Sequence, residues 1–510
     1  MRTALVIAMV VGCGGGTPGS PSVTVVPARA PELPMADPEE YAITRISRDA
    51  GEKIFVRTGI GDPYRTGVPY PMFLALLRAY PRSFGATTTE LADRFGFLAR
   101  PADPTSDDAD VRAGLPVGMH LTTDPITGVP FVVTSCALCH AERIRWTDGE
   151  ALVVGLGNKR VQIHAYDRAF AAVTKRQSFN AQHLGRLARE LAAERGIVWP
   201  DAYRDALTAA TIDALSRRAT ARAELHARTA ADPPGRVAVI ESFAFALGEL
   251  TGTRVDFARD VGWAKVPDVI GYGERVTLSW DASQEGPIDL LVVEADLAAG
   301  VRIAWLESHP FQGASLGAYL RQPAARPGFP GAIDRARAER GRVLFGEHCT
   351  PCHGRYAADG RVLAYDESVV ELAELGTDPA RLLAPTASFE RAANDPALTR
   401  GYTRFRRSTG YVPPVLTNVW TRAPYGHAGQ WPSLAVLAMP AERRPTRFVV
   451  EPAALYDLAS VGVATRAAGA PGPGAYLHDA TQPGFGVGGH PFLADLGADA
   501  AAVIEYLKTL

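Results

Sequence analysis

Cysteine is scarce here: five residues in a chain of 510. So few cannot build the dense disulfide framework of a small secreted scaffold. Charge of one sign is missing too. The formal net charge is −2 and no basic tract occurs, which argues against a nucleic-acid partner. Past the N-terminus, no apolar run reaches the roughly 20 residues of a membrane-spanning helix. What remains is ample length for two domains with real cores.

Four of the five cysteines fall into two short runs, Cys136-Ala137-Leu138-Cys139-His140 and Cys349-Thr350-Pro351-Cys352-His353. Each reads Cys-x-x-Cys-His, the attachment pattern of a c-type haem. Two thiols one helical turn apart add across the two vinyl groups of one porphyrin. The adjoining histidine then supplies a nitrogen to the iron. A zinc knuckle would want a second cysteine pair close to the first, and a thioredoxin-like pair has no use for the fixed histidine. Two covalently bound haems (iron) are therefore expected. Cys136, Cys139, Cys349 and Cys352 are the attachment points, with His140 and His353 as proximal iron ligands.

The fifth cysteine, Cys13, ends a stretch of one basic residue, a short apolar run and Gly12. Such a segment is a secretion signal, too short to span a bilayer. Val10-Val11-Gly12-Cys13 resembles a lipobox, so residues 1–12 are read as a lipoprotein signal peptide and Cys13 as a lipid anchor. An ordinary cleavage near Ser20 or Ala30 is the alternative. The expected location is the bacterial periplasm or outer membrane, with membrane contact through the N-terminal lipid only. Residues 13–39, rich in Gly and Pro, read as a flexible tether.

Two haem domains should follow, an N-terminal one over 40–325 with a helical insertion and a C-terminal cytochrome c domain over 326–510. Helical periodicity marks 72–80, 165–173, 181–194, 203–228 and 238–247. A helix over 332–345 leads into Cys349, and an amphipathic helix over 498–508 closes the chain. The expected fold class is mainly α, two cytochrome c-like haem domains with long loops and an added helical layer. Segment 254–281 lacks helical pattern and is crowded with Gly, Pro and Trp. Its Trp263 and Trp280 are candidates to line a distal pocket or lie between the haems, and equally to fill the core.

The stretch 418–434, Asn-Val-Trp-Thr-Arg-Ala-Pro-Tyr-Gly-His-Ala-Gly-Gln-Trp-Pro-Ser-Leu, resembles a signature of the bacterial di-haem cytochrome c peroxidase superfamily. The rubber-oxygenase-like di-haem branch is nearest. Pro440-Ala441-Glu442-Arg443-Arg444-Pro445, Gly489-His490 and the closing Glu505–Leu510 segment are similar to that branch. So are 65–70, 114–118 and Trp280-Asp281. The chain departs from the pattern at Gly426, at Ala428, where Asn or Asp is usual, and at 485–489, which lacks Asn. These losses point to a divergent activity.

In such a protein the occupant of each iron's sixth position sets the chemistry, since a filled site transfers electrons and an open one binds peroxide or dioxygen. For the C-terminal haem, His490 is the first candidate and Met439 the alternative. His427, with Tyr425 and Arg422, is expected beside the haem edge. The N-terminal haem has no clear second ligand; His164, His120 and Met119 are merely near in sequence. The resemblance implies that this haem is the reactive one. An exported peroxidase- or oxygenase-like oxidoreductase is the leading expectation, acting on a small-molecule oxidant or organic substrate, with a possible electron-donor protein. A non-catalytic electron-transfer lipoprotein with both haems six-coordinate, or a haem redox sensor, are the alternatives.

Overall fold

The computed structural model describes residues 8–10, 22–24, 48–61, 63–229, 232–256, 263–269, 274–285, 316–317, 319–320, 327–396 and 404–510. Cys13 and most of the expected signal and tether lie outside the described residues. Helix accounts for 42% and strand for 16% of them. The fold is therefore mixed α/β, which corrects the mainly α expectation. The reason is local. Alanine-, leucine- and arginine-rich segments form the expected helices, Tyr70–Ala79, Ile163–Val173, Ala181–Arg195, Asp201–Ala221 with Ala223–Arg228, and Val239–Thr251. The β-branched segments between them instead pair into short sheets.

The approach to the first motif shows this. Pro130–Thr134 is the central strand of an antiparallel sheet between Val68–Pro69 and Met119–Thr123. Immediately after His140, Ala141–Trp146 pairs with Gly149–Val154. The first motif thus sits between two β elements. An aromatic cluster of Phe84, Phe95, Phe97, Tyr166 and Phe170 fills the adjoining core, with ring centres 4.8–6.3 Å apart. Tilted and edge-on pairs of this kind add to the burial of apolar area.

A second core surrounds the C-terminal motif. It includes Phe345, Trp420, Tyr456, Val503 and Tyr506, and also Ile144 and Val153 from the strand pair after His140 and Leu156 just beyond it. Helix Arg335–His348 leads straight into Cys349 and packs on helix Ala500–Leu507. Asp334 caps the first helix by accepting from Arg337 N at 3.0 Å, and its own N–H donates to Glu505 at 2.7 Å. Phe345 meets Tyr506 at 5.2 Å. The close approach depends on Gly341, because a Cβ there would collide with the Ala502 carbonyl.

Replacing Gly341 by Val should consequently force these helices apart and destabilise the C-terminal region by about 1–3 kcal/mol or more. A lowered denaturation midpoint in urea checks this; an unchanged midpoint would show that the crossing has slack.

Candidate functional site

The first motif is one short turn. Cys136–Leu138 is a 3-10 helix in which His140 N–H donates to the Cys136 carbonyl at 2.9 Å. The turn presses on Gly118, at φ +84°, where a side chain would collide with the Leu138 backbone. His140 Nδ1 faces the Pro267 carbonyl at 3.1 Å. Burial pushes the imidazole down to about 4, so it is neutral across the physiological range. A neutral ring that donates through Nδ1 keeps Nε2 as its acceptor.

The second motif repeats that arrangement in a different setting. Thr350–His353 is a helical turn, with His353 N–H donating to the Cys349 carbonyl at 2.9 Å. His353 Nδ1 faces the Pro414 carbonyl at 2.9 Å. Its ring is held neutral by burial, opposed in part by that carbonyl. Tyr365 OH donates to the Pro413 carbonyl at 2.6 Å, and Leu416 N–H donates to Tyr356 OH at 2.7 Å. The proline segment is thereby fixed on both sides.

A cavity of about 520 Å³ opens over the second motif. Cys349, Cys352, His353, Arg422, Tyr425, His427, His490 and Trp280 all line it. His490 faces His353 with ring centres 6.2 Å apart. Burial, reinforced by His353, pushes His490 down to about 3. His490 sits at φ +51°, directly after Gly489 at φ +90°, and its N–H donates to the Leu375 carbonyl at 2.8 Å. Arg444 holds this loop in place. Its buried guanidinium donates to the carbonyls of Val487 at 2.9 Å, Gly489 at 2.6 Å, and Leu437 and Met439 on the other side.

The other expected residues divide. His427 is buried and stacked on Tyr411, ring centres 4.7 Å apart, and its Nε2 has no hydrogen-bond partner among the described residues. Tyr425 presents its ring to the cavity while its hydroxyl donates to the Val461 carbonyl at 3.2 Å. Met439 is 39% exposed and does not line the cavity. Trp263 packs on Phe485 at 5.4 Å, away from the cavity lining. The sequence neighbours of the first motif are engaged elsewhere. His120 pairs with Asp110 at 2.8 Å, and Met119 is buried in the core. His164 lies 2.7 Å from Asp232 and 3.0 Å from Ser242.

Sequence reasoning missed the cations of the cavity wall. The strand pair Arg236–Ala238 and Trp263–Lys265 brings Arg236 and Lys265 to it. Lys265 Nζ donates to the carbonyls of Arg422 at 2.6 Å and Pro424 at 2.7 Å. Arg236 donates to those of Ala428 at 2.6 Å and Gly429 at 3.1 Å. Buried charge among Gly and Pro was the one available signal, but spacing does not reveal it.

These residues fit a haem. The volume lies in the range of small-ligand sites, both thiols border it, and two imidazoles face each other across it. Cys349 and Cys352 would tether the group and His353 and His490 would hold its iron, which supplies reversible one-electron chemistry.

Loss of the Lys265 ammonium should expose how far this wall depends on it. Lys265→Met leaves two carbonyls without their donor, at about 1–3 kcal/mol for a buried acceptor. The expected result is a lower unfolding midpoint together with a perturbed absorption of the C-terminal haem. A change in neither would show that the contact is dispensable.

A family match falls on the same region. Residues 410–449 match the family described as RoxA-like, cytochrome c-like. A protein of Sinorhizobium fredii, named as uncharacterized protein y4iM, is 30% identical over 167 residues, which cover 28% of this chain and 35% of that protein. The chain therefore spans about a third of the curated relative it matches. The matched segment holds Arg422, Tyr425, His427 and Pro414, the carbonyl partner of His353. It supports a cytochrome c-like family for this chain, and with it a covalently bound c-type haem and a redox function.

Proposed function

We propose that this protein is an exported di-haem c-type cytochrome with peroxidase- or oxygenase-like redox activity, its N-terminal haem reactive and its C-terminal haem relaying electrons. The carrying observation is the repeat of one arrangement in two unrelated settings. Each Cys-x-x-Cys-His turn directs its histidine Nδ1 onto a proline carbonyl. The partner on one ring nitrogen fixes which nitrogen is offered to a metal and strengthens it as a ligand. That the first motif shares this feature with the C-terminal one supports a second haem.

The division of labour rests on the sixth positions. His490 opposite His353 supports a six-coordinate, low-spin C-terminal iron, suited to electron transfer. Among the described residues, His120, Met119 and His164 are held in other contacts, and we read the N-terminal iron as the accessible one. Electrons would come from an external one-electron donor, a protein or a small reductant. Peroxide or dioxygen, with or without an organic substrate, would be the reactant at the N-terminal haem. Lipidation at Cys13 would hold the protein at the outer membrane, facing the periplasm.

Intact mass of the exported protein should exceed the apoprotein by two haems, and the Cys349→Ala/Cys352→Ala variant should keep one. A native mass with a single haem refutes the di-haem reading. His490→Ala should turn a low-spin ferric spectrum high-spin with both haems retained, while Met439→Leu leaves it unchanged. If only the Met439 variant alters coordination, the ligand assignment is wrong. If neither haem of the native protein binds cyanide or carbon monoxide, the protein is an electron-transfer cytochrome and has no reactive haem.

A further inference from the structure

His490 ends a loop that has little means of holding itself. Residues 485–489 read Phe-Gly-Val-Gly-Gly, with no polar side chain among them, and 485–490 belong to no helix or strand. Three glycines widen the range of backbone shapes open to this segment. The structure nevertheless fixes one of them, with Gly484 at φ +85°, Gly489 at φ +90° and His490 itself at φ +51°. A histidine in the left-handed region is uncommon, so its surroundings have to select it. Phe485 and Val487 are buried, and the main-chain groups around them need partners from outside the loop.

One carboxylate meets the N–H groups. Asp378 Oδ2 accepts from Gly484 at 3.0 Å and from Gly486 at 3.1 Å. Its Oδ1 accepts from Ala380 N–H at 2.8 Å, which anchors the carboxylate on its own segment. Leu375, three residues earlier, accepts from His490 N–H at 2.8 Å. The approach is close: a Cβ at Gly486 would lie 3.0 Å from Asp378 Oδ2, and one at Gly489 would lie 2.7 Å from Thr377 Cα. Residues 375–378 thus form a shelf under the loop from Gly484 to His490. The loop's carbonyls are met by Arg444, at Val487 and Gly489, and by Trp431 Nε1, which donates to Val487 at 2.9 Å. Hydrogen bonds to an ionised partner are stronger than neutral ones, and Asp378 supplies two of them to this loop.

We propose that Asp378 is a positioning residue for His490: by gripping Gly484 and Gly486 it sets the loop that holds the imidazole opposite His353. The inference rests on the reading of His490 as the sixth ligand of the C-terminal iron. A ligand already in place loses little freedom on binding, so it competes well with water and with small exogenous ligands. Asp378 thereby keeps the C-terminal site closed.

Hydrogen exchange and absorption spectra of the full-length protein test this, with haem content checked by intact mass. Asp378→Ala should speed amide exchange in 484–490 roughly tenfold or more. It should also turn part of the low-spin signal high-spin and bind one more equivalent of cyanide than the native protein. Asp378→Asn, which keeps an acceptor oxygen, should restore much of both properties. Thr386→Ala serves as the control for stability alone, since Thr386 caps helix Ala387–Ala393 by accepting from Phe389 N–H at 3.2 Å. It should lower the unfolding midpoint and leave the spin state unchanged. If Asp378→Ala behaves in the same way, less stable but low-spin with its loop still protected, the proposal is overturned. His490→Ala separates this proposal from the ligand reading, because it should become high-spin while 484–489 stay protected. A His490→Ala protein that remains low-spin overturns the ligand reading and the proposal with it; a high-spin one beside an unchanged Asp378→Ala overturns the role of Asp378 alone. Should Asp378→Ala fail to fold or lose its haem, Gly486→Ala decides by the same readouts, since its methyl presses on the carboxylate: faster exchange with a high-spin fraction supports the proposal, and neither overturns it.

Discussion

An imidazole whose Nδ1–H is given to a carbonyl has one nitrogen left to offer, and that constraint organises this molecule. His140 and His353 are both buried and both spent on proline carbonyls, those of Pro267 and Pro414. Proline suits the role, since it lacks an N–H and its carbonyl is not drawn into a regular ladder from its own side. Holding each carbonyl still then becomes the task of everything around it. Pro267 follows the strand Trp263–Lys265, which pairs with Arg236–Ala238. Pro414 stands between segments fixed by Tyr365 and Tyr356.

Loops rich in Gly and Pro leave many backbone carbonyls without a helix or sheet partner, and burying them unpaired is costly. Here long cationic side chains meet that need. Arg444, Arg236, Arg422 and Lys265 each donate to two or more carbonyls around the C-terminal cavity. The guanidinium suits this role because its donors form a rigid fork. The lysine ammonium bears the cost of its setting: burial, with Lys159 and Arg422 nearby, pushes it down to about 7. Such cross-links hold loop geometry without extended secondary structure. That is why the His490 loop can keep a left-handed conformation opposite His353.

Much of this was legible in the residues, and the remainder was hidden for identifiable reasons. The two motifs announced themselves because thiols and a fixed histidine are costly to place by accident. Ala- and Leu-rich helices such as Ala181–Arg195 declared their period. Pro267 and Pro414 act through main-chain oxygens, which every residue has, so nothing marked them. Two-residue strands such as Thr277–Leu278 and Gly410–Tyr411 are set by partners far along the chain, and they turn an expected α protein into a mixed one. Met439 looked plausible in sequence, yet its side chain faces solvent. Arg444 stood inside the quoted 440–445 run, but only the fold reveals that it clamps Gly489 and Val487.

The Asp268–Arg422 pair is informative because its energetics are unfavourable as a stabiliser. Removing two charges from water costs several kcal/mol per ion, and mutual attraction often does no more than offset it. A pair of apolar side chains could pack the same space. What an apolar pair could not supply is a guanidinium that also donates to the Val415 and Thr417 carbonyls, beside the Pro414 carbonyl that faces His353. The two halves already meet through Ile144, Val153 and Leu156 in the C-terminal core and through Trp146 against Trp420. The ion pair adds a polar tie between the segment after Pro267 and the segment after Pro414, the two prolines whose carbonyls face the motif histidines.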